Sequence, residues 1–380
     1  MLVQNDELIS LVRSVFPAID SDKQLALLFD IPSNPKNDTP AWQNRRSFAY
    51  DWFNVLTKAS DSLGLKINLY AYPDIGSNNA DLPGVVYQVT GPLPANSEQL
   101  AREGRETSLN EMFATQQMFF ALTQFSATAP LKIAAKRFGF RAATMPGFTE
   151  AMVPALKSDF NLVDQRCKML KDKLDYADKV KCVFLVDGQK RYHVDFDLFQ
   201  RTAHVSSGRF ETPGTAGNFP SGETYIVPYE GGLGAISQSI GYLPVQFGDE
   251  VVLYRIRQNK ITKVLSDGKK SQSERKYVKS EPAYANVAEL GFGVLGDFGL
   301  KPIGEILLDE KLGFHIAFGR SDHFGGIVGP EQFSSPAAVV HLDRIFLPEI
   351  QPRVQVALVE LEYSGGVKEK IIVNNKYQLW

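Results

Sequence analysis

The hairpin at residues 181–199 constrains the fold more than any other stretch. KCVFLVDGQKRYHVDFDLF reads as two strands around Asp187-Gly188, the signal of a hairpin. The chain reads differently on its two sides. Upstream, the strand-like runs LALLFD (25–30), KINLYAY (66–72), GVVYQV (84–89) and MFFALTQF (118–125) are interleaved with helical segments. Thr39 followed by Pro40 is an N-cap with proline in the first turn. The helix it opens runs to about Leu63, carries Phe48, Trp52 and Leu56 on one face, and stops at Gly64. PLKIAAKRFGF (130–140) is a short helix, FRAATMPG returns to a strand and turn, and a helix over 164–178 lines up Cys167, Leu170 and Leu174. Strands alternating with helices imply βαβ units and a mostly parallel sheet.

Downstream the chain is short strands and glycine turns, through VVLYRIRQ (251–258), KITKVLSD (260–267) and VQVALVELEYSGGVKEKIIVNN (354–375) with its Gly365-Gly366 turn. The two halves predict an α+β fold. An N-terminal α/β domain with a mostly parallel sheet spans 1–180, and a C-terminal β-rich metal-binding domain spans 181–380. The basic stretch DGKKSQSERKYVKS (267–280) has no interleaved aromatic ladder and reads as a solvated loop.

A formal net charge of −2 gives no global field for nucleic acid or an anionic membrane, and neither partner is expected. No apolar run approaches the roughly 20 residues of a membrane span. The opening MLVQNDELISLV lacks the basic segment of a secretory signal. Cys167 and Cys182 have no CxxC-type neighbour and are expected as reduced core thiols of a cytoplasmic protein.

The chemistry concentrates late in the chain. Of five histidines, three lie between Glu289 and Asp343: His315, His323 and His341. AVVHLDRIF (338–346) alternates as a strand, so His341 and Asp343 project to one side with Val340 and Leu342 buried behind them. GFHIAFG (313–319) is a second short strand with His315 and Ala317 on one face. Imidazole beside carboxylate on rigid backbone suits Zn, Mn, Fe or Co. Phosphate-cradling glycine loops, HExxH and GxSxG are not found.

The ordered motifs GNFPSGETYIVP (217–228), ANVAELGFG (285–293), LLDEKLGFHIAFG (307–319) and HLD (341–343) resemble the thermophilic-type metallo-aminopeptidases, the aminopeptidase T and aminopeptidase S family. The resemblance implies a hydrolase acting on the N-terminal residues of peptides. It implies a homodimer with two divalent ions per chain, Zn or Co, held by Glu223, Glu289, His315, His341 and Asp343. The terminal aromatics Tyr377 and Trp380 are candidate interface anchors. Where the family carries a tyrosine after its HIAFG-type strand, this chain reads SDHFGG, so Asp322 or His323 stands in that place. Glu289, His323 and Glu230 are the candidate catalytic residues, Glu230 as base. A related dihydroxypyridine dioxygenase gives an alternative: one Fe(II) on His315, His341 and Asp343, a 2-His-1-carboxylate set. A non-catalytic binding protein is a third.

Overall fold

A computed structural model describes residues 5–380. The fold is α+β, and the chain divides into two compact units. The first comprises residues 1–164 and 208–221, the second 165–207 and 222–380. This departs from a single break at 180. The helix Phe160–Asp175 carries the chain into the second unit, and the segment 208–221 then returns to add a strand to the first.

The first unit is a seven-stranded sheet. Thr215–Asn218, Arg141–Thr144, Met118–Leu122, Gln24–Ile31 and Lys66–Pro73 run parallel in that order, and Val85–Gln88 and Arg105–Ser108 complete it antiparallel. Its central strands QLALLFDI and MFFAL are apolar almost throughout because neither face meets water. The Thr39 side chain accepts from the amide of Trp42 and starts the helix Pro40–Lys58. That helix breaks at Ala59, and a further turn, Ser60–Leu63, ends on Gly64 at φ 66°.

The second unit holds two sheets. One is eight-stranded and antiparallel, and includes the predicted hairpin, Ala177–Val186 with Lys190–Asp197, whose Asp187 and Gly188 both take positive φ. The other has five strands in the order His341–Ile345, Phe314–Gly319, Val287–Gly293, Glu223–Ile226, His204–Ser206, all antiparallel. One face of this smaller sheet is apolar. Leu290, Phe292, Phe314, Ile316 and Phe318 are buried there, and Phe318 meets Tyr254 of the larger sheet at 6.0 Å. Burying each such side chain contributes about 1.5–3 kcal/mol. The stiffness of that packed layer is what the opposite face is built on.

Two expectations are corrected. Residues 269–280 are not a loop but the helix Lys269–Ser280. Its first amides, Lys270 and Ser271, donate to the carboxylate of Glu250, a cap supplied from about 20 residues away and so invisible to local reading. The helix also buries Glu274, which accepts from the Tyr254 hydroxyl at 2.9 Å. The His341 strand is shorter than its alternation suggests, with Pro336–Ala338 forming a 3-10 turn. Val340 and Leu342 are half-buried, since this is an edge strand. Tyr377 and Trp380, the candidate interface anchors, also make hydrogen bonds within their own chain. The Tyr377 hydroxyl donates to the Gly293 carbonyl, and the Trp380 indole donates to Asp297 beneath Arg166.

Cys167 and Cys182 are buried free thiols. Among the described residues no helix is long and apolar enough to cross a membrane.

Candidate metal centre

Strand register assembles the site. Residues directly opposite in neighbouring strands share a face. Glu223 pairs with Gly293; Tyr225 with Gly291, and Gly291 with His315; Glu289 with Ala317, and Ala317 with Asp343; Gly319 with His341. The face opposite the apolar core therefore carries Glu223, Glu289, His315, His341 and Asp343, paved between them by Gly291, Gly293, Ala317 and Gly319. The small residues leave the room that the functional side chains occupy.

The five residues converge as two groups. Donor atoms of Glu223, Glu289 and His315 lie within 4.8 Å of one another, and so do those of Glu289, His341 and Asp343. Glu289 belongs to both, one oxygen per group: its Oε1 is 3.3 Å from His315 Nε2 and its Oε2 is 3.1 Å from His341 Nε2. His341 Nε2 lies 3.7 Å from Asp343 Oδ1, and His315 Nε2 lies 3.6 Å from Glu223 Oε2. His315, Glu289 and Glu223 are at most 5% exposed.

Both imidazoles are oriented from behind. His315 Nδ1 is 3.2 Å from the carbonyl of Gly313, and His341 Nδ1 is 2.8 Å from that of Arg320. A carbonyl only accepts, so Nδ1 carries a proton in each ring and Nε2 is turned toward the carboxylates. This is the arrangement that fixes a metal-ligating histidine.

Four buried carboxylates, Glu223, Glu289, Glu310 and Asp343, share this site with Lys311 and two imidazoles. Burial works against ionising Glu289, yet the hydrogen bonds from His315 and His341 hold its carboxyl down at about 2. Asp343 is likewise buried and is held well below the usual carboxylate range by His341. Burial also opposes charging His315, but Glu289 and Glu223 raise it to about 9. Glu310 is pushed up to about 8 by burial, with Asp343 and Glu223 adding to the rise. Glu223 Oε2 is buried with no hydrogen-bond partner. An acceptor-only carboxylate oxygen beside an inward-turned imidazole nitrogen fits a divalent cation, as does the mixed imidazole–carboxylate donor set.

His323 lies next to this set, its ring 5.5 Å from that of His341 and its Nδ1 3.4 Å from Asp322. Burial and the neighbouring His341 lower its pKa to about 4, so the ring is neutral at pH 7. Asp322 is held low by Arg320, which it pairs at 2.6 Å, and points its charge to the surface. Glu230 is not brought into either group. It pins a loop instead, accepting from Asn286 Nδ2, Ser321 Oγ and the Ile327 amide, each at 2.6 Å. With both oxygens so engaged, it is poorly placed to act as a base.

Three residues escaped the sequence reading. Glu310 and Lys311 come from the DEK of LLDEKLG, and Lys311 Nζ is bonded to Glu310 and to Glu223. The signal was three consecutive charges inside an apolar motif, all of them buried. Tyr225, two residues after Glu223 and on the same face, stacks with His204 at 5.4 Å and meets the tilted ring of Phe324 at 4.6 Å. Burial pushes its phenol up, and Glu223 and Glu289 push it further.

No family model matches the chain, and no curated protein matches it in sequence. Solved structures do match over the full length. The 2,5-dihydroxypyridine dioxygenase of Pseudomonas putida KT2440 superposes with a TM-score of 0.60 at 15% identity, covering 100% of this chain and 99% of its own. Wild-type AmpT of Thermus thermophilus superposes with a TM-score of 0.53 at 12% identity, covering 99% of each chain. At such identities the likeness is one of fold.

Proposed function

We propose that this protein is a metal-dependent aminopeptidase whose two divalent ions are held on either side of Glu289. The observation that carries the reading is Glu289 itself, a buried carboxylate with one oxygen in each of two three-residue donor groups. Such sharing is what a bridging ligand requires. Ions held there by Glu223, Glu289, His315, His341 and Asp343 would supply Lewis acidity and a water of lowered pKa.

The residues divide the remaining work. Glu223 and His315 serve one ion, His341 and Asp343 the other. Gly313 and Arg320 carbonyls fix the imidazole tautomers. His323, a neutral ring beside His341, is a hydrogen-bond partner for a bound substrate where the resembling family has a phenol. We take the substrate to be a peptide with a free α-amine, and the working form to be a cytoplasmic homodimer. A monomer mass by light scattering at micromolar concentration would remove the dimer from this reading.

The dioxygenase alternative gains from the fold likeness to the Pseudomonas enzyme. It needs His315, His341 and Asp343 on one ion. Here Glu289 lies between the two imidazoles, and the compact groups pair His341 and Asp343 with Glu289 instead. The deciding experiment combines metal analysis with two assays on the same protein. About two Zn or Co ions per chain with release of N-terminal residues from unblocked peptides supports the aminopeptidase. One Fe(II) per chain with oxygen uptake on 2,5-dihydroxypyridine and no peptide cleavage defeats it.

A further inference from the structure

We propose that the two ion positions differ in affinity and that Lys311 makes them differ, its ammonium competing for Glu223 with the ion bound there. The inference rests on the two-ion reading above.

Lys311 is a buried cation, 4% exposed, inside a metal-capable cluster. Its Nζ is bonded to Glu223 Oε1, and to Glu310 Oε1 at 2.5 Å. It does not reach the cluster as a loose surface side chain. The 3-10 turn Glu310–Leu312 that carries it lies directly against Gly293, where a Cβ would overlap the backbone of Glu310 and Lys311. The Gly293 amide in turn donates to the Gly313 carbonyl at 3.0 Å. Backbone packing therefore delivers the ammonium to Glu223, and a buried lysine between two carboxylates gains nothing by leaving them.

The two groups are unequal in this respect. The ion pairs of Glu289 and Asp343 are with imidazoles, which become neutral ligands when they bind a metal. Glu223 is paired to an ammonium, which has three donors, no acceptor and no lone pair to offer a metal while charged. An ion at Glu223, Glu289 and His315 must use the remaining oxygen, Oε2, while sharing the carboxylate with a positive charge, or else displace that charge from Glu223. Either route weakens binding, because like charges held on one buried carboxylate repel. The Glu289, His341 and Asp343 position fills first. The same ammonium offsets the crowding of Glu223 and Glu310 before any ion arrives.

The test is a titration of metal-free protein with Co(II), followed by calorimetry and by the cobalt absorption bands, with no assay of activity. Wild-type protein is expected to bind one ion tightly and a second at least about tenfold more weakly. Lys311→Met removes the like charge from the carboxylate the second ion must share, and is expected to tighten that ion at least about tenfold and to leave the first within a few-fold. Equal affinities in wild type overturn the proposal, as does a second ion bound identically by wild type and Lys311→Met, or a Lys311→Met protein that takes only one ion. If Lys311→Met does not fold, Lys311→Gln carries the same comparison, and equality in wild type still overturns the proposal. Unequal sites that Lys311→Met brings together, in a protein that cleaves no unblocked peptide, would sink the aminopeptidase reading and leave the role of Lys311 standing.

Discussion

The Cα of Gly291 faces the imidazole of His315 so closely that a methyl group there would overlap Nε2 and the carbon beside it. The ring of a fully buried histidine lies across the neighbouring strand because that strand has no side chain at this point. Gly291→Ala should push the ring off its position against Glu289 and Glu223. Overpacking of this kind costs about 1–3 kcal/mol, so the variant should fold with a lowered midpoint in denaturant. Metal analysis should show the ion at His315 lost and the ion at His341 and Asp343 retained. A variant that keeps its full metal content would show that the ring has room to move.

Glu289 and Glu223 should differ in kind. Glu289→Gln removes the carboxylate common to both groups and should weaken both ions, taking metal content from about two to below one per chain. Glu223→Gln keeps the shape, touches one group only, and should leave about one ion with peptide cleavage lost, since bridging a water needs the pair. Were Glu289→Gln to retain two ions at ordinary concentrations, the shared-ligand arrangement would be wrong.

His323 is neutral across the working range, its pKa lowered to about 4 by burial and by His341. It should therefore contribute no limb to the pH–rate profile between about 5 and 8. His323→Phe should lower kcat by about 100-fold, the lower end of what removing one hydrogen-bond donor to the reacting group costs. Metal content should stay the same and KM change little. His323→Tyr should retain more activity than His323→Phe. Equal activities of the two variants would show that no hydrogen bond from this position is used.

Asp30 gives a pH signature in the first unit. It is fully buried and accepts from the Trp42 indole and from the amides of Gln124 and Phe125. Burial nonetheless raises its pKa from 3.8 to about 6, the hydrogen bonds opposing the rise. A raised folded-state pKa means that the folded chain binds the proton more tightly. The associated stability is full below about 3.8 and is lost as pH rises through about 6, a total of about 3 kcal/mol. The difference in stability between wild type and Asp30→Asn, followed by Trp42 and Trp52 fluorescence in urea, should shift toward wild type as pH falls from 7 to 5. A difference constant over that interval would show that Asp30 titrates normally.

What the sequence determined by itself was whatever depends on short-range period. Two-residue alternation in HLD and in FHIAFG set His341 beside Asp343 and His315 over Ala317, and the hairpin about Asp187-Gly188 closed as its residues demand. Runs such as LALLFD became central strands because an uninterrupted apolar run can only be covered on both faces. Tertiary structure decided what joins positions far apart. Lys311 meets Glu223 across 88 residues, and no local pattern marks that pair. Glu230 is a candidate base from its sequence position, and three donors from two distant segments, at Asn286 and at 321–327, hold it in place. Residues 269–280 became helical because Glu250 caps them from a neighbouring strand. In each case the deciding interaction is a hydrogen bond or ion pair that reaches a turn, a loop or a helix end from a distant segment, and it forms only once whole elements have packed.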